Sequence, residues 1–154
     1  MSGWLFKTEP EELSIETLAA RGSAGACWEG VRNYQARNML RDDVKIDDRV
    51  FIYHSSCALI GIAGIGRVIK SAYPDPSQFD KNSIYFDPAS TREKLRWISV
   101  DVCHEQTFAR VIPLAELKAN PALSEFALVQ RGSRLSVMPV NTAQWKAILK
   151  MAEI

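Results

Sequence analysis

The sequence predicts an α+β domain in which short capped helices cover a curved sheet, and three observations predict it. Segments rich in β-branched and aromatic residues alternate with short stretches of helical spacing. One of those segments, Leu59 to Ile69, carries glycines at 61, 64 and 66, as a strand does where it bends or lets another backbone approach. Ser14, Asn33 and Asn141 stand where helix N-caps belong. At 154 residues the chain suits one domain spanning 1–154, long enough to bury roughly 70% of its unfolded surface.

Taken in order, Gly3 to Lys7 reads as a strand closed by Thr8-Glu9-Pro10, since the residue before proline favours extended backbone. Ser14 caps a helix through Ile15, Leu18 and Ala19 that stops near Gly22, its apolar spacing marking a core-covering face. Cys27 to Asn38 then packs two aromatics, two arginines, two asparagines and a glycine into twelve residues, a recognition composition. Gly30 permits a turn or a close approach, and Asn33 caps a helix running through Arg37 toward Arg41, with Tyr34 and Asn38 on the adjoining face.

After an Asp47-Asp48 turn, Arg49 to Ser55 reads as a strand whose end brings Tyr53, His54 and Ser55 together. His54 is expected as a neutral imidazole bonded to backbone, because no acid or nucleophile is coupled to it in sequence. The glycine strand follows. Ala72 to Lys94 is a long irregular span in which Tyr73, Phe79, Tyr85 and Phe86 suggest a loop packed back on the body. Arg96 to His104 alternates as a half-buried strand with Trp97 on its more polar side and His104 at an exposed end, and Phe108 to Ile112 extends the sheet.

Pro113 opens a short helix ending before Pro121, and Ala122 to Val129 is apolar enough for a buried helix. Arg131-Gly132-Ser133-Arg134 is a basic turn. Asn141 with Gln144 forms an amide capping box, Val140 and Trp145 fit a hydrophobic staple, and the last helix runs from Thr142 toward Glu153.

Composition sets limits on function. Nineteen basic against eighteen acidic residues leave a net charge of +1, so nucleic acid could be held only by a local basic patch. Cys27, Cys57 and Cys103 are odd in number, far apart and outside any C-x-x-C spacing, which predicts free thiols in a cytoplasmic protein. The start Met1-Ser2-Gly3-Trp4 lacks a signal-peptide pattern, and no apolar run reaches the roughly 18 residues of a membrane span. No Ser/His/Asp order, paired carboxylates, phosphate loop or metal-ligand spacing stands out, so a non-catalytic monomer without metal or cofactor is expected.

Trp4 to Pro10, Cys27 to Asn38, Tyr53-His54-Ser55, Gly61 to Gly64, Ala72 to Asp75, Tyr85 to Pro88, Arg96-Trp97 and Arg134 to Val137 together resemble the EVE domain family. This is a branch of the PUA-like folds related to the YTH and SRA readers of modified bases. The resemblance implies a PUA-like curved mixed sheet or pseudo-barrel of five to six strands with short helices at its ends, and a cleft for a modified base. Two departures stand out: Ile46-Asp47-Asp48, where relatives more often show a lysine and Gly-Asp, touches a turn, and Gly66-Arg67 touches the pocket floor.

The function this implies is a binding module for a modified nucleobase in DNA or RNA. A base lifted from its stack needs a flat apolar slot and edge-directed polar groups. Trp28, Tyr34, Tyr53 and Trp97 with Asn33, His54 and Ser55 supply both, and the matching motifs add Val31 and Ser136. Lys7, Arg32, Arg37, Arg131 and Arg134 form the basic rim that orients the strand. Trp28, Tyr53 and Trp97 are expected to wall one open cavity. An RNA-binding or adaptor domain without base preference, and a small-molecule enzyme, are the alternatives.

Overall fold

The computed structural model describes residues 3–154. Its strands are β1 (Gly3–Thr8), β2 (Ala26–Cys27), β3 (Arg49–His54), β4 (Gly61–Pro74), β5 (Ile98–Pro113) and β6 (Val137–Val140). Its helices are α1 (Ile15–Ala20), α2 (Tyr34–Asp42), α3 (Leu114–Ala119) and α4 (Thr142–Met151). The strands form one open mixed sheet in the order β2-β5-β4-β3-β1-β6, in which β1 and β3 run parallel and the remaining pairs antiparallel.

Period-two alternation sends successive side chains to two cores. Trp4, Phe6, Val50 and Ile52 face one hydrophobic cluster with Leu18 of α1 and Ala36 and Leu40 of α2. Leu5, Phe51 and Tyr53 face the other with Leu117 of α3 and Ile148 of α4. The caps are local and strong: the Ser14, Asn33 and Asn141 side chains accept from the backbone N–H of Thr17, Ala36 and Gln144, and the Asn141/Gln144 capping box is complete. Each such cap contributes about 1 kcal/mol.

Several elements differ from expectation. β4 runs to Pro74, because register shifts in its pairing with β5 bend the ladder without ending it. The two strand segments expected over 96–112 are one continuous strand, so His104 lies within β5, where its Nε2 pairs with the Thr107 hydroxyl at 2.7 Å. Residues 122–129 form two 3₁₀ turns, Pro121–Leu123 and Ala127–Val129, rather than a helix. Most of the polar face of β5 is covered too: Ser99 and Cys103 are buried, as is Trp97 just before the strand. Asp47 adopts φ +74°, the left-handed region that suits the glycine implied by the resemblance and is tolerated by aspartate.

Candidate functional site

The Cys27 to Asn38 stretch leaves the sheet edge and turns back on itself. Trp28 N–H donates to Val100 C=O at 2.8 Å, which extends the β2 pairing. Gly30 then takes φ +86° and donates its N–H to Asp75 Oδ2 at 2.9 Å. A Cβ there would stand 2.6 Å from the Tyr85 ring, so the close approach is between two parts of the chain. Arg32 turns inward, its Nη1 donating to Asp75 Oδ2 at 2.9 Å and to Val31 C=O at 3.0 Å. Its Nη2 donates to Ser77 Oγ at 3.1 Å and to Tyr85 C=O at 2.7 Å. Asp75 is wholly buried, so this ion pair ties the 75–97 loop to the start of α2.

Beside that knot lies a cavity of about 730 Å³, within the roughly 300–1,000 Å³ common for ligand pockets. Its walls come from the end of β1, the 9–13 segment, residues 26–31, Ser55, the 83–85 tip and Ser136. Trp28 supplies a flat apolar surface held at an angle against Phe6, with ring centroids 5.4 Å apart. Lys7 is half-buried over the Tyr53 ring, and burial pushes its ammonium below the usual range. Opposite, the Tyr85 hydroxyl donates to the Glu12 carboxylate at 2.6 Å and closes one wall. Desolvation, then the charges of Asp75 and Glu12, push Glu29 up. The cavity therefore offers an apolar plate, donors from Lys7, Arg21, Ser55 and Ser136, and acceptors from Glu9, Glu12 and Glu29.

Of the expected site residues, Lys7, Trp28, Val31, Ser55 and Ser136 line this cavity. The single slot walled by Trp28, Tyr53 and Trp97 is not what the chain builds. Tyr53 is buried in the α3/α4 core, because alternation points it away from the face that carries Trp28. Trp97 is buried, donates its indole N–H to Asp87 at 2.7 Å and stacks on Tyr34 at 4.8 Å. Asn33 spends its side chain on the α2 cap. His54 is buried and its Nε2 accepts the Ile15 N–H at 3.1 Å, a neutral imidazole bonded to backbone; burial pushes its pKa down.

The expected basic rim divides as well. Arg32 is consumed by Asp75, while Arg37 donates to Arg96 C=O at 2.8 Å with its guanidinium over the Tyr34 ring. Arg131 and Arg134 are exposed on the turn that leads to Ser136. Gly66, expected at the pocket floor, sits instead in mid-sheet opposite Val50.

Sequence reasoning missed Glu12, Arg21 and the Ser83-Ile84-Tyr85 tip; the aromatics of the long loop were the available signal. Among the described residues no three His, Cys, Asp or Glu side chains gather as a metal site requires, and no helix is long and apolar enough to cross a membrane. All three cysteines are free.

The chain matches the EVE domain over residues 2–151. It is 40% identical to thymocyte nuclear protein 1 of Homo sapiens, over 99% of this chain and 74% of the human protein. A crystal structure of a Pseudomonas putida protein is 53% identical, covers 98% of this chain and 99% of its own, and superposes with a TM-score of 0.94. The human THYN1 protein, solved in complex with DNA containing 5-methylcytosine, is 40% identical, covers 100% of this chain and 99% of its own, and gives a TM-score of 0.93. The expected cytoplasmic setting is corrected by the animal relatives, which are named thymocyte nuclear protein 1. Cysteine number and spacing carried that expectation, and since cytoplasm and nucleus are both reducing they could not separate the two.

Proposed function

The chain belongs to the EVE domain family, and from that premise we propose that it is a binding module that takes a modified nucleobase of DNA into the cavity beside Trp28. The observation that carries this reading is the make-up of that cavity: a buried indole and Val31 on one side, with the polar groups of Lys7, Ser55 and Ser136 at its edge. A flipped base needs one flat apolar surface and polar groups around its rim. The human relative solved with DNA containing 5-methylcytosine supports the choice of DNA and of a modified base. A methyl group buried there adds about 0.8 kcal/mol, which makes the module selective by degree.

The test is a titration of otherwise identical DNA and RNA oligonucleotides carrying cytosine, 5-methylcytosine, hydroxymethylcytosine or methylated adenine. Wild type is expected to favour a modified DNA strand by several-fold. Ser136→Trp, which fills the cavity from a half-buried position, should melt like wild type and lose that preference. Equal binding of the whole panel by wild type would overturn the reading.

A further inference from the structure

We propose that Ile84 is a wedge that enters the base stack of duplex DNA and fills the gap left by the base the cavity receives. The proposal rests on the reading just given. Ile84 lines the cavity mouth and is 82% exposed, more than any other large apolar side chain among the described residues. Single exposed apolar residues are common on protein surfaces, so exposure alone says little. The build of the tip says more.

Ser83 N–H donates to Asp80 C=O at 3.0 Å, Tyr85 N–H to the Ser83 hydroxyl at 3.0 Å, and Phe86 N–H to Ser83 C=O at 3.2 Å. The Tyr85 carbonyl is gripped by Arg32, whose guanidinium is anchored on buried Asp75, and the Tyr85 hydroxyl is bonded to Glu12. The backbone on both sides of Ile84 is thus held by hydrogen bonds while its side chain projects outward. A β-branched side chain with few rotamers loses little entropy on insertion. Ile is among the apolar residues that proteins insert between base steps. An extruded base leaves an unstacked gap in the duplex, and the wedge stands at the mouth through which that base would pass. A single strand has no such gap.

The experiment compares wild type, Ile84→Ser and Ile84→Leu on one duplex with a single central 5-methylcytosine or plain cytosine and on the same strands alone, with 2-aminopurine beside that base reporting unstacking. Ile84→Ser is expected to weaken duplex binding about tenfold, to weaken single-strand binding by a much smaller factor and to reduce the fluorescence change, while Ile84→Leu restores both. Equal duplex affinity for Ile84→Ser and wild type, or equal losses on duplex and single strand, overturns the wedge and leaves the base-binding reading intact. Wild type that fails to distinguish methylated from plain DNA in either form overturns both.

Discussion

Around Trp97 the polar groups are answered from within the chain: its backbone N–H donates to Gln78, its carbonyl accepts from Asp75 and Gln78, its indole N–H donates to Asp87, and Tyr34 and Arg32 cover the ring. Around Trp28 the ring is anchored on Phe6, yet the groups beside it, Lys7, Ser55, Glu29 and Ser136, border a cavity. Both regions centre on a buried tryptophan. A tryptophan whose polar neighbours are internally met builds structure, whereas one whose polar neighbours border a cavity can build a site. Residue type alone does not separate the two.

The largest test of that contrast is Trp97→Ala. Removing a buried indole and the partner of Asp87 should cost about 3–5 kcal/mol in urea or thermal unfolding, with the base preference of the remaining folded protein unchanged. A Trp97→Ala variant that melts like wild type and loses base preference would break the contrast and move the site to the Tyr34 side of the 75–97 loop.

The elements that were legible in the sequence are those written locally. The caps at Ser14, Asn33 and Asn141 act within three residues, and the strand alternation that builds both cores is a nearest-neighbour pattern. The same alternation could have separated Tyr53 from His54, because adjacent strand residues point to opposite faces. The site was less legible because its closures are distant in sequence. Arg32 meets Asp75 across 43 residues and Tyr85 meets Glu12 across 73, and no spacing rule encodes either. The side chains of Arg32 and Tyr34 were expected at a ligand, but their partners Asp75, Ser77, Tyr85 and Trp97 lie along a loop whose path no local signal gives.

His54 and Ser55 sharpen the contrast at single-residue scale, the first bonded into the α1 start and the second at the cavity. Burial, partly offset by Glu16, holds the folded pKa of His54 below its unfolded value of about 6.5. Between those two values the unfolded chain binds a proton that the folded chain does not, so stability rises with pH across that window and is lost as pH falls through it. Thermal melts between pH 7.5 and 5 should show this loss in wild type and a flatter profile in His54→Gln, while Ser55→Ala should keep the wild-type profile. Parallel profiles for all three proteins would mean that His54 is not the titrating group.

The smallest expected effect concerns the two arginines best suited to meet phosphate. Arg37 already donates to Arg96 C=O and to the Asn38 side chain and lies over the Tyr34 ring, so its charge is held against the protein. Arg134 is exposed on the turn preceding Ser136, a cavity residue, and among the described residues it has no ion-pair partner. A side chain that neutralises one phosphate contributes about one unit to the slope of log affinity against log salt. Arg134→Ala should therefore reduce that slope by about 1 on modified and plain DNA alike, while Arg37→Ala leaves it near the wild-type value. The measurement is a binding titration at several salt concentrations, and its informative reversal is specific. A reduced slope for Arg37→Ala with none for Arg134→Ala would mean that DNA approaches over α2, and that Arg37 exchanges its internal hydrogen bonds for phosphate when it binds.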